Sequence, residues 1–172
     1  MRYLANAFSL QMLSNNKMSD IRIKKITKER AINILKSKRS RVDDKLHIVF
    51  DDSTVKSTIG HEELTKFLTC ELGTEVPYNR VGLNLRPEDS IVVAQITGGR
   101  VNEDTGISFD TIAYFLVEMK ADWHAYFYKD NKLVLCEDFK SMTKTDAYKK
   151  LNNYLLNSKI KSYDDLDFTY TI

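Results

Sequence analysis

Two places in the chain carry residue types that could perform chemistry, and the first is a lone histidine. His61 follows Gly60 at the predicted start of a helix. An imidazole can hold a proton near neutral pH and release it during a reaction, and the N–H groups of a first helical turn can hold a phosphate. By itself, a histidine in this position is more often a helix cap or a surface residue. The pattern therefore indicates acid–base chemistry beside an anion without establishing it.

The second place is a polar loop with three glycines, from Gly98 to Gly106, which contains Arg100 and Glu103. A guanidinium can bind phosphate oxygens bidentately, a task that a lysine performs less specifically. A glycine-rich loop can also close over a bound ligand. The alternative interpretation is a simple strand-to-helix connection that carries a surface ion pair.

Composition limits the classes of protein that can be considered. The chain has 172 residues, 42% hydrophobic and 29% charged, which is typical of a single globular domain with one sizeable core. No run of about 18 consecutive apolar residues occurs, so we expect a cytoplasmic protein without a membrane partner. Cys70 and Cys136 are the only cysteines, too few for a disulfide scaffold or a zinc cage, and we expect both in the core. We expect no metal and no cofactor.

Charge is unevenly distributed, although the net charge is only +2. Between Arg22 and Lys45, ten Lys and Arg residues face three acidic ones. Such a stretch could attract phosphates from a distance, or it could simply be a solvated helix face with a loop. No helix-turn-helix signature, zinc spacing or phosphate-loop motif is present, so we expect neither duplex nucleic acid as a partner nor nucleotide-triphosphatase chemistry.

Hydrophobic period and turn residues predict an α/β (α+β) fold, a central mixed β-sheet flanked by helices in a single domain. Thr27 is expected to cap the first helix, and Val81–Leu85 is expected to form a hairpin with Ser90–Ile96 around Pro87. The predicted strands are Arg2–Ala5, Arg22–Ile26, Lys45–Phe50, Val81–Leu85, Ser90–Ile96, Trp123–Tyr128, Leu133–Cys136 and Leu166–Ile172. The predicted helices are a turn or two at Phe8–Leu13, a helix after Thr27, His61–Leu72, Ser108–Met119 and Thr145–Asn157.

Four short segments, in their order and spacing, resemble the viral ring-nuclease family. They are Leu4–Ser9, Ile59–His61, Asn79–Val81, and Gln95–Thr97 with Arg100 and Glu103. The resemblance covers residues 1–129, and we expect residues 130–172 to form a C-terminal extension packed on the same domain. It implies a symmetric homodimer whose two-fold axis passes through the ligand site.

The resemblance also implies an activity and its residues. The family cleaves cyclic tetra-adenylate, the second messenger of type III CRISPR immunity, without metal and gives linear products with 2′,3′-cyclic phosphate ends. A viral or mobile-element protein of this kind acts as an anti-CRISPR. His61 would protonate the leaving 5′-oxygen, Arg100 would neutralise a phosphate, and Glu103 would bind a ribose hydroxyl or hold the arginine. The ligand-binding residues implied by the resemblance are Asn6, Ser9, Gly60, Arg80 and Gln95.

Two features depart from the family pattern. Glu62 and Glu63 follow His61, and Thr65 comes one place later than the family's small hydroxyl residue. The C-terminal extension has no counterpart in the family. These departures leave open a second hypothesis, a non-catalytic sponge that sequesters a cyclic nucleotide immune signal. The other histidines, His47 and His124, lie in apolar strand patterns and are predicted to be packed or surface residues.

Overall fold

A computed structural model describes residues 2–7, 18–36, 55–79, 82–97, 112–157 and 163–172. Within these residues seven strands form one sheet, which is mixed, as predicted. The strands are β1 (Arg2–Ala5), β2 (Ile21–Ile26), β3 (Lys56–Ser57), β4 (Ser90–Ile96), β5 (Ile112–Lys129), β6 (Lys132–Thr143) and β7 (Asp165–Thr171). The helices are α1 (Lys28–Lys36), α2 (Glu62–Leu72) and α3 (Lys144–Asn157), with a 3-10 turn at Met18–Asp20. No described helix is long and apolar enough to span a membrane.

Strand β5 organises the sheet. Its first half lies between β2 and β4 and is antiparallel to both, and the order continues through β1 to β3. Strands β4, β1 and β3 are mutually parallel. The second half of β5, Lys120–Lys129, pairs with β6 on one side and β7 on the other. One long strand therefore links the parallel part of the sheet to the C-terminal extension.

Three apolar clusters fill the interior. The first packs α1 and α2 on one face of the sheet, around Leu4 and Leu68. The second lies on the opposite face and includes Leu83 and Leu85. The third packs α3 against the second half of β5 around Phe127. The C-terminal extension thus shares a hydrophobic cluster with the second half of β5.

The predicted boundaries of the first two helices are confirmed by local geometry. Thr27 Oγ1 accepts a hydrogen bond of 3.2 Å from the backbone N–H of Arg30, which is the expected capping contact. Helix α2 ends at Gly73, whose φ of 57° lies in the left-handed region that glycine adopts readily. The strand Arg22–Ile26, the last helix and the last strand are also confirmed.

The helix predicted at Ser108–Met119 is wrong for residues 112–119, which form the first half of β5. Residues 116–119 are all buried, because β5 is covered on both faces and paired at both edges. A strand buried on both faces loses the alternation that marks it in sequence. Residues 108–111 lie outside the described part.

The hairpin predicted between Val81–Leu85 and Ser90–Ile96 is also wrong for the described residues 82–85. Residues 82–86 form no strand, since β1 and β5 already occupy both edges of β4. Leu83 and Leu85 instead bury their side chains in the second cluster.

Cys70 and Cys136 are exposed rather than in the core. The predictions for Phe8–Leu13, Lys45–Phe50 and Val81 fall outside the described residues, and β3 was not predicted.

The C-terminal extension is joined to the rest of the sheet at the amino end of β4. The hydroxyl of Thr145 donates to the buried carboxylate of Glu118, whose register partner is Ser90, the first residue of β4. Lys144 Nζ donates to the carbonyl of Glu88 over 3.0 Å. The boundary expected after residue 129 falls in the β5–β6 turn, where Asp130 and Asn131 have positive φ. The division into two parts remains a prediction.

Candidate functional site

The carboxyl ends of three parallel strands meet at one edge of the sheet. Strands β4, β1 and β3 end there side by side, and β5 begins there because Ile112 pairs with Ile96. In open α/β sheets, ligands bind outside the carboxyl ends of parallel strands. We call this region the carboxyl edge; it comprises the described residues 6–7, 58–61, 78–79 and 95–97.

Hydrogen bonds from the loop after β3 fix the position of His61. The N–H of Thr58 donates to the carbonyl of Leu4 over 2.9 Å. The N–H of the buried Ile59 donates to Ser57 Oγ over 3.1 Å. Helix α2 then starts with the N–H of Thr65 bound to the carbonyl of His61 at 3.0 Å. The backbone around His61 is therefore anchored on both sides.

His61 is the N-cap residue of α2, with φ −127° and ψ 113°, but its side chain makes no capping hydrogen bond. The residue is exposed. The structure thus favours neither a capping role nor burial for the imidazole. An exposed imidazole that does not cap the helical N–H groups beside it can meet an anionic ligand, because the N-terminal end of a helix attracts negative charge.

The two glutamates after His61 are accommodated at the surface of α2. Glu62 Oε1 lies 2.8 Å from Lys66 Nζ, one turn along the helix. This hydrogen bond and the ammonium charge lower the pKa of the Glu62 carboxyl. The Glu62 carboxylate is therefore paired with a cation one turn along α2, and both side chains of this pair are exposed.

Thr65 does not replace the hydroxyl expected three residues after the histidine. It is buried, and its Oγ1 donates to the carbonyl of Glu62 over 2.6 Å. A different hydroxyl lies at the carboxyl edge, on the half-buried Thr58, with Oγ1 at 3.5 Å from the carbonyl of Leu4. Thr58 is a candidate that the sequence analysis missed, because β3 was not predicted and its end could not be located.

A second segment is held against the His61 loop. The N–H of Asn79 donates to the carbonyl of Ile59 over 3.0 Å. Three residues earlier, the N–H of Val76 donates to Thr69 Oγ1, also over 3.0 Å. These bonds place Tyr78 and Asn79 at the carboxyl edge. The sequence indicates Asn79 only as part of the family-like segment Asn79–Val81, and no sequence pattern singles out Tyr78.

The structure brings three of the predicted site residues, Asn6, Gly60 and His61, to the carboxyl edge. Gln95 also lies at this edge and is exposed, but it shares a strand face with Val93 of the second cluster, opposite α2. The remaining predicted site residues lie outside the described part of the chain; they are Ser9, Arg80, Arg100 and Glu103. The described residues nearest to them in sequence include Ala7, Asn79 and Thr97 at the carboxyl edge, and Ile112, which pairs with Ile96 of that edge.

His124 lies on the half of β5 remote from the carboxyl edge, in what we call the C-terminal sheet, formed by β6, β7 and residues 120–129 of β5. Its Nδ1 is 2.8 Å from Asp138 Oδ1 on β6, and its Nε2 is 3.1 Å from Thr171 Oγ1 on β7. These contacts join three strands, in line with the predicted packing or surface role. His47 is outside the described residues. Within the described ranges, no group of three His, Cys, Asp or Glu side chains could hold a metal ion.

The Ser57 hydroxyl offers a test of how the loop positions His61. In Ser57→Ala the buried N–H of Ile59 loses its acceptor, which we expect to cost about 1–3 kcal/mol of unfolding free energy. Any activity that depends on His61 should fall as well. Urea denaturation and a kinetic assay measure the two effects. Ser19→Ala, at an exposed serine bonded to its neighbour Asp20, is the matched control and should change neither. Equal stability and equal activity of Ser57→Ala and Ser19→Ala would contradict the role of Ser57 in positioning His61.

Comparison with known proteins identifies the family. The sequence model of the STIV B116-like family matches residues 2–118. B116 of Sulfolobus turreted icosahedral virus has a similar solved structure, with a TM-score of 0.50 and 24% sequence identity, covering 68% of this chain and 97% of that chain. At this identity the likeness concerns the fold alone. No curated protein matches the chain. The family match spans more than half of the chain and includes the whole carboxyl edge, and the chain therefore belongs to the STIV B116-like family.

Proposed function

We propose that the protein is a metal-independent ring nuclease that cleaves cyclic tetra-adenylate and thereby counteracts type III CRISPR signalling for a virus or another mobile element. The observation that carries the proposal is the exposed His61, the N-cap residue of α2, whose side chain makes no capping hydrogen bond and which lies on the carboxyl edge of a fold from a viral protein family. The proposed products are linear and end in a 2′,3′-cyclic phosphate.

Phosphate binding at this site uses the first turn of α2. The N–H groups of residues 62–64 point along the helix axis toward His61, and the His61 side chain does not cap them. Together with the helix dipole they favour a bound phosphodiester. The Glu62–Lys66 ion pair reduces the repulsion that a free carboxylate would exert on this anion.

Cleavage needs one bond to form and one to break at phosphorus. A ribose 2′-oxygen forms the new P–O bond and releases its proton to solvent, while the bond to the 5′-oxygen breaks. The departing 5′-oxygen takes a proton from His61. General acid catalysis of this type contributes a factor of about 100 to 10,000 in rate. The backbone contacts of Thr58, Ile59 and Thr65 would hold the backbone of His61 in place for this step.

The other predicted residues complete the proposed site. Arg100 would neutralise a non-bridging phosphate oxygen, and Glu103 would bind a ribose hydroxyl or hold Arg100. The proposed ligand-binding residues are Asn6, Ser9, Gly60, Arg80 and Gln95. Because Gln95 is on the sheet face opposite α2, it would meet a different part of the ring from His61.

A symmetric homodimer fits the symmetry of the ligand. A cyclic tetranucleotide presents the same face twice, and an isologous dimer supplies two copies of each contact. In the proposed complex the two-fold axis passes through the ring, so two His61 side chains serve two scissile bonds. Sedimentation of the pure protein with and without ligand measures whether it is a dimer.

The function is tested by incubating the purified protein with labelled cyclic tri-, tetra- and hexa-adenylate in excess EDTA and separating the products by chromatography. Cleavage of the tetramer to species with 2′,3′-cyclic phosphate ends is expected. Absence of cleavage of every ring would contradict the enzyme hypothesis.

A non-catalytic sponge that binds and sequesters the signal is the second candidate. The observation in its favour is Thr65, whose buried hydroxyl is bonded to the Glu62 carbonyl and is not presented to a ligand. The same incubation separates the two candidates. A sponge returns intact ring after denaturation of the complex, whereas the enzyme returns linear product.

A further inference from the structure

We propose that Tyr78 is a stacking platform for a base of the cyclic nucleotide and gives the site its preference for purines. This inference rests on the proposed function and names a specificity residue for it. Tyr78 is 60% exposed, so its ring is accessible to a ligand. In the described ranges, the other exposed large hydrophobic residues are all aliphatic.

The backbone around Tyr78 is fixed although its ring is exposed. Val76 is buried in the first cluster, and its N–H is bonded to Thr69 Oγ1 on α2. Pro77 has a restricted φ, and the N–H of Asn79 is bonded to the carbonyl of Ile59. Anchors on both sides remove most of the backbone entropy that a binding event would otherwise cost. A preordered, exposed aromatic ring is suited to binding.

The position of Tyr78 relative to His61 suggests what it binds. The Asn79–Ile59 hydrogen bond places residues 78–79 beside the loop that ends at His61. In a nucleotide the base is attached to the ribose that carries the reacting phosphate. A phosphate at His61 and the start of α2 therefore brings an adjacent base to the segment that carries Tyr78. Every base has a flat face on which an aromatic side chain can stack. The larger ring system of a purine covers more of that side chain than a pyrimidine does.

The test compares Tyr78→Ala and Tyr78→Phe with the wild-type protein, using cyclic tetra-adenylate and cyclic tetra-uridylate as probes. Loss of a base–aromatic stack raises the dissociation constant by about 5- to 150-fold. We expect this rise in Kd and KM for the adenylate ring with Tyr78→Ala, an unchanged kcat at saturation, and a reduced discrimination against the uridylate ring. Tyr78→Phe keeps the ring and should behave like wild type.

Two controls separate stacking from other roles. Leu133→Ala removes an aliphatic side chain that is 54% exposed in the C-terminal sheet, and it should leave Kd unchanged. The melting temperature of Tyr78→Ala should equal that of wild type, whereas a structural role would lower it. Equal affinity of Tyr78→Ala and wild type, or failure of Tyr78→Phe to restore binding, would overturn the stacking role alone. If wild type binds neither ring, the proposed function and this inference fail together.

Discussion

Replacing His61 by alanine is expected to lower the rate of cyclic tetra-adenylate cleavage by about 100- to 10,000-fold, the range typical of a lost general acid. The physical reason is that the 5′-oxygen would then leave as an unprotonated alkoxide. The side chain makes no capping hydrogen bond and is exposed, so its removal leaves α2 intact. Single-turnover kinetics with protein in excess over labelled ring measures the chemical step, and the Kd of the ring should remain unchanged.

The matched control for this prediction is another histidine of the same chain. His124→Gln alters the contacts to Asp138 and Thr171 in the C-terminal sheet, and the cleavage rate should stay at the wild-type value. A His61→Ala variant that cleaves as fast as wild type would show that another group protonates the leaving oxygen. A fall in rate with an equal loss of affinity would instead indicate a binding role for the imidazole.

Phe127→Ala is expected to lower the free energy of unfolding by about 3–5 kcal/mol, the usual cost of emptying a fully buried phenylalanine site. Phe127 is 0% exposed. Its ring centroid lies 5.2 Å from that of Tyr163 in an edge-to-face arrangement and 6.3 Å from that of Tyr154. The cavity would open inside the third cluster, between β5 and α3. Urea denaturation followed by circular dichroism measures the change.

The same variant tests how the C-terminal extension relates to the site. Phe127 is on the half of β5 that pairs with β6 and β7, far along the strand from Ile112 at the carboxyl edge. KM and kcat of the folded fraction should therefore equal those of wild type below the melting temperature. Val134→Ala, at a side chain that is 51% exposed on β6, should change neither stability nor activity. A raised KM for Phe127→Ala would mean that the extension helps to form the ligand site.

The helices near the site could be predicted because their signals are local. Thr27 caps α1 and Gly73 ends α2, and both roles depend on side chains and backbone angles within one turn of the helix. The short strand β1 and the long apolar strand β4 were also recognisable. The position of His61 at the start of α2 was predicted correctly, because it stands immediately before a helix with a clear apolar face.

The first half of β5 could not be predicted because its environment is set by distant partners. Ile112, Ala113 and Leu116 are spaced as on a helix, yet β2 and β4 pair with this segment on both sides. Burial on both faces then removes the alternation that would have marked a strand. The false hairpin has a similar origin, since the true partners of β4 are β1 and β5 rather than the adjacent segment.

The site was predictable only in part for the same reason. Tyr78 and Asn79 reach the carboxyl edge through a backbone hydrogen bond to Ile59, and a backbone contact leaves no trace in residue type. The face on which Gln95 lies follows from the register of β4, which a sequence pattern does not fix. The Glu62–Lys66 pair, by contrast, has the i, i+4 spacing that helices favour and could have been read in advance.

Binding of the ring at the carboxyl edge is tested most directly by backbone amide NMR of the His61→Ala variant, titrated with cyclic tetra-adenylate, which this variant should bind without cleaving. We expect the largest chemical-shift changes at residues 58–64, which include the first turn of α2, and at Tyr78 and Asn79. The amides of β6 and β7 should not move. Shifts confined to that C-terminal sheet, or no shifts at saturating ligand, would contradict the assignment of the site.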